Sequence, residues 1–158
     1  MLASHPTPQY MRILVPADGS DGARHAAEAA AELAYISGGS VIALHVLPPD
    51  TTDAEYLGIA GMVDVAPYES ALADPAPRGE DYALAAVESV ARDRGVPVES
   101  EQVVDAKPAR AIAETAQHMK CDLIVMSSHG YGSALSILTG SATAQVVSDS
   151  AVSVLVVH

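Results

Sequence analysis

The residues best placed to do chemistry lie between Cys121 and Ala144. There an apolar run, Leu123-Ile124-Val125-Met126, empties into Ser127-Ser128-His129-Gly130-Tyr131-Gly132-Ser133, and Gly140-Ser141 opens a further helix-like segment. A strand, a glycine-containing loop and a helix N-terminus are the parts from which anion sites are built. The chemistry on offer is therefore the binding of a phosphate or carboxylate, carried by backbone N–H groups and small side chains.

Other chemistries fit the same residues less well. Ser127 or Ser128 with His129 and Asp18 would supply the residue types of a hydrolytic triad. There is no Gly-x-Ser-x-Gly elbow, however, and neighbours in one loop rarely achieve nucleophile–base geometry. The loop lacks the Gly-Lys-Ser/Thr of a P-loop, and Leu135 occupies the last position of a would-be Gly-x-Gly-x-x-Gly. A phosphoacceptor receiver module would need an acidic pair after the first strand and a lysine after the last, and neither is present. No two histidines stand at metal-site spacing with a third ligand. His45, on an apolar strand, reads as a satisfied core histidine, His25 and His118 as helix-surface residues, and His5 and His158 as terminal ones. The single cysteine, Cys121, excludes an internal disulfide and reads as a small buried apolar residue at a strand entrance.

The elements that must position this stretch follow from apolar patterning. Arg12-Ile13-Leu14-Val15-Pro16 is a run without alternation, as expected of a strand covered on both faces. Ala17-Asp18-Gly19-Ser20 is a turn, and Ser20 or Asp21 can cap the helix after it. In that helix Ala26, Ala30 and Leu33 share a stripe beside Ala27, Ala31 and Ala34, and Gly38-Gly39 ends it. The second strand is 41–47. Residues 48–78 hold half of the chain's ten prolines and read as a long surface excursion. A helix over 80–94 follows, with Leu84, Val87 and Ala91 on one face and Gly95 closing it. The strand over 96–104 alternates Val98, Ser100 and Gln102 with Glu99 and Glu101, which suits a sheet edge with one side in solvent. Pro108 begins a helix whose face is Ala109, Ile112, Ala113, Ala116 and Met119. The focal strand and loop, a helix over 141–150 and a final strand over 152–157 complete the chain.

Strands alternating with helices imply an α/β fold: a single-domain, open, parallel five-stranded sheet with helices on both faces, Rossmann-like, in the order 3-2-1-4-5. Residues 1–10 read as an N-terminal tail, and 11–158 as the domain. In such sheets ligands bind beyond the carboxyl ends of the strands where the order reverses. If the first half winds outward, the reversal lies between strands one and four, and Asp18 faces the focal loop across a crevice. Without that winding Asp18 is simply a turn residue.

Eight Lys and Arg against 20 Asp and Glu leave a formal charge of −12, a field that repels a polyanion and argues against nucleic acid as a partner. A small nucleotide remains compatible, because local dipoles outweigh a distant net charge. No apolar run reaches the ~18 residues of a membrane helix, and the first ten residues do not resemble a signal peptide, so a cytoplasmic location is expected.

The opening ILVPADGS, with VMSSHG, nine residues, GSATAQVV and a terminal SVLVV, resembles the universal stress protein family over nearly all of 11–158. Nucleotide-binding members carry Gly, two residues, Gly, nine residues, Gly, Ser or Thr. Gly130, the nine residues after it and Gly140-Ser141 match, whereas Ser127 stands at the first glycine. A further family glycine, before Pro108, is here Ala106. The resemblance implies ATP or another adenine nucleotide as ligand, with a magnesium ion able to accompany it, and a role in stress response. It implies that Asp18, with Pro16 and Ala17, approaches the base and ribose, and that Val46 lines the adenine pocket. It also implies that Gly130, Gly140 and Ser141 cradle phosphates, with Met126, Ser127, His129, Ala142 and Thr143 completing the wall. Were left-handed backbone required at residue 127, serine there would be strained by roughly 1–2 kcal/mol, about tenfold in affinity.

The final strand, with Val152, Val154, Leu155, Val156 and Val157, leaves a sheet edge that needs covering. Pairing with the same strand of a second copy would make a homodimer, as the resemblance also implies; burial against the 48–78 loop is the alternative. Two functions follow. One is a regulator that binds adenine nucleotide and presents a surface to an unidentified protein partner, with hydrolysis slow or absent. The other is a structural dimer or adaptor of the same fold that binds no nucleotide, Ser127 being the lesion.

Overall fold

The computed structural model describes residues 10–47, 49, 80–128 and 142–158. The expected excursion at 48–78 and most of the N-terminal tail lie outside them. Five parallel strands form one sheet: β1 (Arg12–Pro16), β2 (Ser40–Leu47), β3 (Val98–Val104), β4 (Leu123–Ser127) and β5 (Ser153–Val157). Their spatial order is β3-β2-β1-β4-β5, as expected if the first half winds outward. Among the described residues four helices lie between them in sequence: α1 (Asp21–Ser37), α2 (Glu80–Asp93), α3 (Pro108–His118) and α4 (Ala142–Asp149).

The central strands are apolar along their middles because each has helices on both faces, and their side chains still sort with period two. Ile13 and Val15 of β1, Val41 and Ala43 of β2, and Leu123 and Val125 of β4 face one way, toward the alanines of α1 and toward Leu84, Val87 and Ala91 of α2. Leu14, Ile42, Leu44, Ile124 and Met126 face the other way, toward Ala109, Ile112 and Ala116 of α3 and Val146 of α4. Small residues let α1 lie close to the sheet. Its buried positions are Ala23, Ala26, Ala27, Ala30, Ala31 and Ala34, while Leu33 is only half-buried at the rim.

Local signals set the helix ends. Ser20 is the N-cap of α1, its hydroxyl accepting the Ala23 N–H at 3.1 Å. Gly38 closes the helix in the left-handed region at φ 73°, and Gly95 follows α2 at φ 69°. Pro108 sits in the first turn of α3. On α3 the buried face takes Ala111 and Thr115 with Ala109, Ile112 and Ala116, and Ala113 is only half-buried. The stripe is rotated slightly from the one expected.

Two strands differ from their sequence reading. β3 begins at Val98, because Val96 is spent in the core beneath α2. Along β3 Glu99, Ser100, Glu101 and Gln102 are all exposed, so both faces reach solvent rather than one. As an outer strand it has, among the described residues, a sheet neighbour on one side only, β2. β5 is the opposite edge and begins at Ser153, while Val152 precedes it with its N–H on Ser150 Oγ at 3.0 Å.

Candidate functional site

The sheet order places the reversal between β1 and β4, and the chain segments leaving those strands form the candidate site. β1 and β4 pair in parallel, with Ile13 opposite Leu123 and Leu14 opposite Ile124, so Pro16-Ala17-Asp18 and Met126-Ser127 leave neighbouring strands at the same end of the sheet. β2 flanks β1 on the other side, with Pro16 opposite Leu44, which brings Val46 to the same end of the sheet. Residues about 110 apart in sequence thus share one rim.

The Asp18 side is a braced turn. Ala17 is buried, and its N–H donates to the Leu44 carbonyl at 2.7 Å. Its carbonyl oxygen lies 2.6 Å from His45 Nδ1. Asp18 is exposed, and its Oδ1 accepts the Ser20 N–H at 2.9 Å, an Asx turn leading into the α1 cap. A carboxylate has about four lone-pair sites, so that bond does not exhaust it as an acceptor for hydroxyls. Gly19 takes φ 79°, a conformation that disfavours any residue with a β-carbon.

The β4 side is built from small residues. Met126 is buried, its side chain in the α3-facing core, so only its backbone is offered at the rim. Ser127 is half-buried and closes the strand, and Thr143 Oγ1 donates to its carbonyl at 2.9 Å, joining the start of α4 to the end of β4. Among the described residues the one non-glycine with positive φ is Lys120. Serine at 127 therefore carries no left-handed strain. Ala142 is exposed at the first position of α4, and Val46 is half-buried against the core on the α3 face. Of the expected site residues, Pro16, Ala17, Asp18, Val46, Met126, Ser127, Ala142 and Thr143 are described, all at the carboxyl end of the sheet or at the start of α4. His129, Gly130, Gly140 and Ser141 lie outside the described residues.

A model of the universal stress protein family matches residues 9–158. The chain belongs to the universal stress protein family. It is 33% identical over 149 residues to the universal stress protein in the QAH/OAS sulfhydrylase 3′ region of Thermus aquaticus, covering 94% of this chain and 99% of that one. It is 31% identical to a universal stress protein of Methanocaldococcus jannaschii, covering 94% and 82% of the two chains. A crystal structure of a universal stress protein in complex with cAMP superposes with a TM-score of 0.66 at 26% identity, covering 95% of this chain and 98% of the other.

Within this family fold, three contacts near the rim escape a reading of sequence alone. His45, expected to be satisfied in the core, is half-buried and has the Ala17 carbonyl as its partner. His158, read as merely terminal, brings Nδ1 to 3.0 Å from Ser128 Oγ, where the Ser128 N–H also extends the β4–β5 ladder to the Val157 carbonyl. Asp105, just beyond β3, donates its N–H to the Leu47 carbonyl and accepts from Lys107 N and Arg110. The Lys107 N–H and then the Arg110 guanidinium hold the Asp105 carboxyl below the usual aspartate range. The Asp105 carboxylate contacts with Lys107 and Arg110 are the exception, local enough to have been sought in sequence. Among the described residues no cluster of three His, Cys, Asp or Glu is placed to hold a metal, and no helix is long and apolar enough to cross a membrane.

Proposed function

We propose that this chain binds ATP or a related adenine nucleotide in the crevice between the carboxyl ends of β1 and β4. The observation that carries the reading is the parallel pairing of β1 with β4 where the strand order reverses, which sends the Pro16-Ala17-Asp18 turn and the Met126-Ser127 rim out at the same end of the sheet. The donor set fits a nucleoside: an exposed carboxylate at Asp18 for ribose hydroxyls, an apolar Val46 for a base, and small residues at Ser127 and Ala142 where backbone can approach a phosphate. A 26%-identical relative whose structure is a complex with cAMP supports the same ligand class. Gly130, Gly140 and Ser141 would hold the phosphates by the family pattern they match in sequence.

In this reading the protein is a cytoplasmic regulator in stress response. It works as a homodimer paired through β5, and the bound nucleotide changes the surface offered to a protein partner, with hydrolysis slow or absent. A magnesium ion accompanying the nucleotide would screen its phosphate charge. Isothermal titration with ATP, AMP and cyclic AMP tests the binding step. Measurable heat with at least one of them is expected. No heat and no thermal shift at millimolar ligand would overturn the reading in favour of a dimer or adaptor without nucleotide. Gly130→Ala separates the two, since it weakens a nucleotide binder and leaves an adaptor unaltered. Sedimentation equilibrium tests the dimer, and a monomer at micromolar concentration would remove that part.

A further inference from the structure

We propose that His45 is a positioning residue of the nucleotide site, its Nδ1–H holding the Ala17 carbonyl so that the Ala17-Asp18 turn presents the Asp18 carboxylate to the ligand. This rests on the nucleotide reading above. A carbonyl oxygen only accepts, so the 2.6 Å contact requires the proton on Nδ1, and it selects one tautomer of the neutral ring. Two consecutive β2 residues then grip both polar groups of one turn residue: Leu44 accepts from the Ala17 N–H at 2.7 Å, and His45 donates to the Ala17 oxygen. The next β2 residue is Val46, the candidate base contact. His45 therefore sets the spacing between the surface for the base and the acceptor for the ribose.

The far side of the turn is confined as well. A β-carbon on Gly19 would stand 3.4 Å from the Tyr82 ring and 3.9 Å from the Ala83 Cα of α2. The turn is thus held between the Ala17 clamp and the first turns of α2. Without the histidine donor the Ala17 carbonyl is released, and the turn spends part of its time in other orientations. Apparent affinity falls by the fraction of molecules in the competent one. The effect belongs to the nucleoside half of the ligand, because His45 lies on β2, on the far side of β1 from Ser127 at the end of β4.

The test measures dissociation constants of the full chain for ATP and for inorganic tripolyphosphate, in wild type, His45→Phe and His45→Asn. Phenylalanine fills the space without a donor; asparagine returns an N–H near the Nδ1 position. His45→Phe is expected to weaken ATP about fivefold, the worth of one hydrogen bond, and to leave tripolyphosphate within about twofold, with His45→Asn restoring ATP. Equal ATP affinity in wild type and His45→Phe overturns the positioning role alone, and so does an equal loss for both ligands. A wild type that binds no adenine nucleotide overturns the nucleotide reading and this role with it. Nitrogen-15 NMR of wild-type imidazoles supplies a measurement that needs no variant: an Nδ1–H tautomer at His45 is expected, and an Nε2–H tautomer overturns the proposal.

Discussion

Thr143 and Ser127 meet at the point where the strand ends and the last helix begins: the threonine hydroxyl donates to the serine carbonyl at 2.9 Å. The bond ties the start of α4 to the end of β4. Thr143→Val keeps the shape and removes the donor. Chemical denaturation is expected to show a loss of about 1 kcal/mol, and an unchanged midpoint would show that water replaces the hydroxyl without cost.

Asp18 offers the sharpest functional variant. Asp18→Ala removes the acceptor proposed for ribose hydroxyls and is expected to weaken ATP about tenfold, the lower end of the range for a hydrogen bond to a charged group. Affinity for tripolyphosphate should hold. Calorimetric titration of both ligands reads the difference, and equal affinity for ATP would move the ribose contact elsewhere.

Gly39 is a packing requirement rather than a conformational one. A β-carbon there would lie 2.6 Å from the Met11 carbonyl oxygen and 2.8 Å from the Met11 Cα, both backbone atoms that cannot swing aside. Gly39→Ala is expected to cost about 1–3 kcal/mol. At Gly38 nothing lies within 4 Å, but φ is 73°, so Gly38→Ala costs about 1–2 kcal/mol through backbone strain alone. Urea midpoints of the two single variants and of wild type test both, and wild-type stability in Gly39→Ala would mean that β1 shifts freely.

Asp105 predicts a pH signature. Its folded-state pKa is lowered, first by the Lys107 N–H and then by Arg110. The stabilisation it contributes is therefore complete above the ordinary aspartate range and is lost as pH falls through the depressed value. Asp105→Asn should lower the melting temperature at pH 7, and the gap to wild type should close in strong acid. A gap independent of pH would assign the effect to hydrogen bonds that asparagine cannot make.

Cys121 should be chemically silent in the native state. Burial pushes its thiol up to about 11, against a smaller opposing pull from Arg12. At pH 8 roughly one molecule in a thousand then carries the thiolate that alkylating reagents attack. Native protein is expected to resist iodoacetamide and to react promptly in denaturant; rapid native labelling would show the strand entrance opening readily.

Much of the architecture was legible from residues alone because the signals involved are local. Apolar runs bounded by Pro16, Gly38 and Gly95 mark element ends, and Ser20 caps α1 within three residues of its own position. Alternation of strands and helices leads to the parallel sheet, and its order was legible on the assumption of outward winding. Edge behaviour was harder. Along β3 the sequence alternates types, yet Glu99 to Gln102 are exposed on both faces, because what covers a strand is decided by distant elements.

The amino-acid sequence by itself determined the elements, their caps, the family pattern around Gly130 and Gly140-Ser141, and the candidacy of Asp18. Tertiary structure decided which of these meet. It set β1 beside β4, bound Thr143 to Ser127, and brought His158 to Ser128. It also gave His45 its partner, 28 residues away in sequence. The physical reason is range. Caps, turns and hydrophobic periods act over a few residues, whereas strand register joins apolar runs that are locally interchangeable, and only packing all of them together selects one register. The same packing leaves Ser127 in ordinary backbone geometry, so a serine at the family's glycine position needs no strain to stand there.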